Sequence, residues 1–190
     1  EHVAGVTVVD DEAQITADAD VDEQSFVFRM AAAAAHSGYP ISARSLRMMA
    51  SRGSEPGEVW SERTRRAFLS LLGAGQPMVH AIEALERYDL FSRYLPEWRA
   101  VRSRPQRNAF HTYTVDRHLL QTVANASELM RGVSRPDLLL VGALLHDIGK
   151  GYPGDHTEAG IELVDSIGAR MGFPPEDVAV VKAMIEHHLL

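Results

Sequence analysis

The stretch Leu138-Leu139-Leu140-Val141-Gly142-Ala143-Leu144-Leu145-His146-Asp147-Ile148-Gly149-Lys150 decides how this chain is read. Its opening run is apolar without interruption, which predicts a buried helix rather than a half-exposed one. The last turn of that helix delivers an imidazole and a carboxylate side by side, at His146 and Asp147, before a glycine stop and Lys150. Burying an unpaired charge costs several kcal/mol, so this pair at the end of a core helix calls for a strong partner. A divalent cation is the simplest candidate, because imidazole nitrogen and carboxylate oxygen are both metal ligands. The plainer alternative is a solvated helix end where Asp147 pairs with Lys150 in water.

Other histidines bear on that choice. His118 lies on a segment whose apolar positions Val115, Leu119, Val123 and Ala126 recur at helical spacing. His156 follows Asp155, which with Glu158 forms an N-cap and capping-box pair opening the next helix. His187 and His188 end a helix begun by Pro175-Glu176-Asp177. On it Val181, Met184, Ile185 and His188 share one stripe, so His188 is expected to face the core, while His187, about 100° round the helix, is less committed. A lone His on an apolar face is more often a hydrogen-bonded core residue than a ligand. Separate helices that each present a His or Asp point to a metal.

The order His118, His146-Asp147, His156, His187-His188 resembles the HD superfamily of metal-dependent phosphohydrolases, all-helical domains whose ligands come from separate helices. More narrowly, residues 110–118, 144–151 and 154–156, with Tyr94-Leu95-Pro96-Glu97-Trp98 upstream, resemble the bifunctional uridylyltransferase/uridylyl-removing enzymes of the PII nitrogen-signalling protein. The likeness is strong from about residue 88 to 190 and weak before that. Gly151-Tyr152-Pro153 is not the motif of the cyclic-di-GMP phosphodiesterases that share those letters. Theirs follows the paired histidines, whereas this one precedes His156.

The resemblance implies a phosphodiesterase that removes UMP or AMP from a tyrosine of PII, within a bifunctional nucleotidyltransferase of the cytoplasm. The metal would be held by His118, His146, Asp147 and His188, with His156 and His187 as lesser candidates. Mg²⁺ or Mn²⁺ stands ahead of Fe²⁺ or Zn²⁺. Catalytic roles fall to Asp147, Lys150 and His156. Lys150 would meet charge developing on phosphorus, although it could equally serve as a C-terminal helix-dipole partner. His156 and His188 would bind a second metal or donate a proton. The family's separate transferase and ACT domains are not visible in this sequence. HD domains usually add a final aspartate from beyond the paired histidines, and Leu190 comes before any such residue. The chain therefore reads as a fragment whose HD domain is C-terminally incomplete. Two other readings stay open: an HD phosphohydrolase of free nucleotides or tRNA ends, and a non-catalytic HD scaffold.

With 45% apolar residues, the 190-residue chain can bury a substantial core. It has no cysteine, so any metal must take nitrogen and oxygen ligands. No apolar run approaches the length of a membrane span, and neither a membrane nor a nucleic acid is an expected partner. The net charge of −7 argues against general nucleic-acid binding. Arg99, Arg102, Arg104 and Arg107 form a local exception that could orient an acidic protein or a phosphate, though such a run is more often a solvated connector.

The fold class read from the pattern is mostly α. A short β segment over 1–20, the remnant of a transferase side, precedes a helical linker domain over 21–108 and an HD domain over 109–190. Val6-Thr7-Val8-Val9, an acidic turn and a second apolar patch predict a β-hairpin. Asp20 or Asp22 is expected to cap the first helix, and the five-alanine run Ala31–Ala35 to make a close helix–helix contact. Further helices are expected over 42–51 and 60–72, and from Val79 to Leu90. Trp60 and Trp98 read as packing anchors, and His2, His36 and His80 as structural or exposed.

Overall fold

A computed structural model describes residues 3–105 and 113–188. The chain divides into two compact units, Glu1–Tyr94 and Leu95–Leu190.

The first unit opens on the hairpin, β1 (Val6–Val9) paired antiparallel with β2 (Glu12–Ile15), with Val6 opposite Ile15 and Val9 opposite Glu12. Asp10 and Asp11 form its two-residue turn at φ 52° and 59°. Such turns need a left-handed backbone at both positions, which aspartate tolerates better than most residues. Five helices follow: α1 (Phe26–Ser37), α2 (Ala43–Arg52), α3 (Glu62–Leu72), α4 (Gln76–Glu86) and α5 (Leu90–Tyr94). α1 lies at the centre and packs on α3 and α4, with Ala31, Ala32, Ala34 and Ala35 buried. Small side chains let those backbones approach closely, as the alanine run implies. An aromatic cluster closes the other side, with the Phe28 ring 4.6 Å from Tyr94, 5.0 Å from Phe68 and 5.5 Å from Trp60.

Two expectations need local correction. The N-cap position of α1 is Ser25, not Asp20 or Asp22, and Ser25 donates its backbone N–H to Glu23 instead of capping with its side chain. Trp60 is buried but lies just before α3, because Ser61 caps that helix by accepting from the Thr64 N–H at 3.1 Å.

Among its described residues, the second unit has helices and 3₁₀ turns and no strand. A 3₁₀ turn over Pro96–Ala100 leads to α6 (Val115–Ser127), a second 3₁₀ turn at Met130–Gly132, and α7 (Pro136–Leu145). A third, Ile148–Gly151, then precedes α8 (His156–Arg170) and α9 (Pro175–Glu186). α7 packs against both α6 and α9, and α8 packs against α9 and the Ile148–Gly151 turn. Glu97 and Arg170 form a two-pronged ion pair, Oε2 to Nη1 at 2.8 Å and Oε1 to Nη2 at 2.6 Å, tying the first turn to the end of α8. Trp98 is buried beside it. Among the described residues, no helix is long and apolar enough to cross a membrane.

Candidate metal centre

The apolar face that buries α7 also fixes where its chemistry emerges. Leu138, Leu140, Val141, Leu144 and Leu145 are buried, so the helix cannot rotate without exposing them. His146 is its C-cap, and Asp147 opens the next turn. Arg135, at the N-terminal end, grips Asp177 in the first turn of α9 through Nη1 and Nη2, both at 2.7 Å. The first turns of α7 and α9 are thereby clasped, and their far ends bring His146 and His188 together, ring centroids 5.5 Å apart.

α8 arrives through glycine. A Cβ on Gly149 would lie 1.9 Å from the His156 carbonyl oxygen and 2.6 Å from the Gly160 nitrogen, so only a bare backbone lets α8 sit on the 148–151 turn. Gly160 offers the matching gap, with Gly149 N at 3.8 Å from its own Cβ position. Asp155 caps α8 by accepting from the Thr157 and Glu158 N–H groups at 2.8 and 3.1 Å. His156 is thereby held beside Asp147. α6 adds His118 from its first turn.

Asp147 stands at the middle, 3% exposed. Its Oδ2 lies 3.4 Å from His146 Nε2, 3.5 Å from His118 Nε2 and 2.6 Å from Lys150 Nζ. Its Oδ1 lies 3.5 Å from His188 Nε2 and 3.8 Å from His156 Nε2. One carboxylate thus faces two pairs of histidines with its two oxygens. Burial pushes the Asp147 carboxyl up. Its neighbours His118, His146 and Lys150, the last through a direct hydrogen bond, outweigh that and hold it well below the usual carboxylate range.

The tautomers of two rings follow from their partners. A carbonyl only accepts, so His146 Nδ1 donates to Ala143 O at 2.8 Å, and His188 Nδ1 donates to Ile185 O at 2.5 Å. With Nδ1 so engaged, Nε2 is the nitrogen each ring has left to offer a metal on the side of Asp147.

These residues fit a divalent cation. His118, His146 and Asp147 offer one set of ligand atoms within 4.8 Å of one another, and Asp147, His156 and His188 a second. Asp147 Oδ1, His156 Nε2 and His188 Nε2 are buried without a hydrogen-bond partner. Buried polar atoms are rarely left so, and a cation would satisfy all three at once. Nitrogen and oxygen donors suit a hard or borderline ion.

Residues 115–190 match the HD domain family. This chain carries an HD domain. Over most of its length it is also related to proteins named bifunctional uridylyltransferase/uridylyl-removing enzyme. It is 49% identical to the one from Streptomyces coelicolor over 85% of this chain and 19% of that protein. To the Mycobacterium tuberculosis protein it is 43% identical over 88% of this chain and 21% of that protein. For Corynebacterium glutamicum the figures are 34%, 89% and 24%. The chain spans about a fifth of the length of these relatives.

Within the HD domain, the expected residues are brought together unevenly. His118, His146, Asp147, His156 and His188 converge, while His187 is exposed and belongs to neither ligand set. His188 reaches the centre by a route other than the expected helical stripe. α9 ends at Glu186, and His188 turns in from beyond the C-cap at His187. Lys150 is bound to Asp147 rather than merely facing the helix dipole. In the arginine run, Arg104 Nη1 donates to Gly151 O at 3.1 Å, Arg99 and Arg102 are exposed, and Arg107 lies outside the described residues. So do Phe110, His111 and Thr112 of the sequence motif. Sequence reasoning missed the pairing of Gly149 with Gly160. A glycine directly after the His-Asp pair and another inside a helix were the available signal.

Proposed function

We propose that the HD domain is a metal-dependent phosphodiesterase that removes a nucleotidyl group, UMP or AMP, from a tyrosine of PII. The observation that carries the reaction type is the single buried carboxylate facing two histidine pairs, three of whose atoms have no partner but a cation to satisfy them. A divalent cation there, Mg²⁺ or Mn²⁺ ahead of Fe²⁺ or Zn²⁺, would supply Lewis acidity that makes water nucleophilic near neutral pH and draws charge from a phosphoryl oxygen.

The protein's own residues do the rest. His118, His146, Asp147, His156 and His188 would hold the cation, His146 and His188 oriented by the carbonyls of Ala143 and Ile185. Lys150, with its Nζ at the rim, is positioned to meet charge developing on phosphorus. His156 lies on the other face, where it would hold the cation or pass a proton to the leaving oxygen. A tyrosyl leaving group, whose conjugate acid has a pKa near 10, needs little such help. Arg99, Arg102, Arg104 and Arg107 are proposed as a weak contact for an acidic partner. PII as substrate and a cytoplasmic setting are what the family resemblance implies; the relatives' names speak only of uridylyl transfer and removal.

The test is release of nucleotide from nucleotidylated PII with Mn²⁺ or Mg²⁺, wild type against Asp147→Ala. Cation-dependent release of UMP or AMP that vanishes in the variant would support the reading. Hydrolysis of free nucleotides or tRNA ends in its place would move the assignment to another HD phosphohydrolase.

A further inference from the structure

We propose that the first unit carries a docking groove for an acidic amphipathic helix, lying along α4 beside the end of α1 and the start of α2. The occupant's apolar stripe enters the groove, and its carboxylates meet Arg47 and Arg87. The groove is built wholly from the first unit, and the metal centre wholly from the second.

The groove holds about 480 Å³, within the range of binding pockets. Ala34, Ala35, Ile41, Leu46 and Ala81 line it and are buried, so its floor is apolar and set largely by small side chains. Along α4 and just past its C-cap, Pro77, Ala81, Ala84 and Tyr88 line it at i, i+4, i+7 and i+11. That spacing makes one continuous seam, the kind onto which a second helix packs. α4 spends its other surface on α1 and α5, and this seam faces the groove. The far wall is preformed. Ala13 N–H donates to Pro40 O at 2.8 Å and Ser42 N–H to Ala13 O at 3.0 Å, which pins the turn between α1 and α2 to the hairpin. A groove that needs no rearrangement binds without that ordering cost.

The charge at the rim selects an anionic partner. α2 carries Arg44, Arg47 and Arg52 and no acid. Arg44 lies in the first turn, where a cation opposes the helix dipole, and one turn from Arg47, where like charges repel. The fold gains nothing from that placement: both side chains are exposed, and neither has a hydrogen bond or ion pair among the described residues. Arg47 follows the groove-lining Ala43 by one turn, so it stands at the edge of that wall. Arg87, on the α4 wall, is exposed and equally free among the described residues. Of the two acids on the rim, Glu83 lies 3.7 Å from His80 Nδ1, which leaves Glu12 at the hairpin edge. Carboxylates on the occupant that reach Arg47 and Arg87 meet guanidinium forks shaped for them.

Fluorescence anisotropy of labelled peptides against the folded protein tests this. The probe is an amphipathic helix of about 15 residues built from Leu, Ala and Glu, and its control carries Lys in place of Glu. The acidic peptide should bind at least about tenfold more tightly than the basic one, and more weakly as salt is raised. Arg47→Glu combined with Arg87→Glu should reverse that preference. Ala84→Leu, which fills the groove with a residue that suits a helix, should weaken the acidic peptide by at least about tenfold. Circular dichroism checks that each variant folds. Equal binding of both peptides, indifference to either variant, or no binding of the acidic peptide up to about 1 mM would overturn the proposal. A dimer in sedimentation that Ala84→Leu disperses would overturn it by giving the groove to a second copy. Uptake of anilinonaphthalene sulfonate that the acidic peptide cannot displace would overturn it in favour of a small organic anion.

Discussion

Asp147 meets histidine nitrogens with both oxygens, so a change at this one side chain reaches both faces of the centre. Asp147→Asn keeps the shape but gives up the charge and one acceptor oxygen. We expect it to weaken Mn²⁺ binding on both faces by roughly a hundredfold or more, as measured by calorimetry, since even outer partners of metal ligands are worth 10- to 100-fold. Gly149→Ala acts by shape alone. Its methyl would meet the His156 carbonyl and the Gly160 nitrogen, which are backbone atoms with little freedom to yield. We expect a loss of about 3 kcal/mol in urea unfolding, together with loss of the His156 and His188 ligand set. Unchanged stability in this variant would show that α8 does not rest on that turn. The His146-Asp147 pair was legible in the sequence because an apolar run ended on two polar groups. His156 and His188 were also named together from the sequence, but the approach of Gly149 to α8 that seats His156 there was not, because no periodicity reveals a close contact of two backbones.

Element placement depends on clasps at helix ends. Arg135 holds Asp177 and also Asp137, with Nε and Nη2 to the Asp137 oxygens at 3.0 and 2.8 Å, so the first turns of α7 and α9 move together. Hydrogen bonding from Arg135 holds the Asp137 carboxyl below its ordinary value of 3.8 despite partial burial. A carboxyl whose folded value is lowered stabilises the fold fully above its unfolded value and loses that contribution as the pH falls through the folded value. The stability gap between wild type and Asp137→Ala should therefore stay constant from about pH 8 to 5 and close below the ordinary value of 3.8. Urea unfolding across that range measures it, and a gap that persists in acid would refute the clasp. Hairpin and helix positions were largely legible, since β-branched runs, Ser caps and apolar periodicity act locally. The start of α1 was not, because Ser25 spends its N–H on Glu23 in a contact no capping rule anticipates. The Arg135 clasp was equally hidden, since it joins residues 42 apart.

At the scale of the whole molecule, all five converging ligands belong to the second unit. The first unit has its own core and its own buried polar contact, in which Ser92 donates its backbone N–H to Glu86 at 3.0 Å and its hydroxyl to the other carboxylate oxygen. Ser92→Ala should cost about 1–3 kcal/mol of stability there and leave Mn²⁺ affinity unchanged. Loss of metal binding in that variant would show that the centre depends on more than the HD domain. The mostly α architecture followed from composition and periodicity. The division at Tyr94 and Leu95 did not, because the Glu97–Arg170 pair that gathers the 3₁₀ turn into the second unit joins residues 73 apart.

We propose that one carboxylate, Asp147, is shared by two cation-binding faces. Anomalous diffraction from crystals of the protein grown with Mn²⁺ tests it most directly. The expected result is two peaks flanking Asp147, one beside His118 and His146 and one beside His156 and His188. No peak at Asp147, with its carboxylate bound only to Lys150 in a well-ordered crystal, would contradict it.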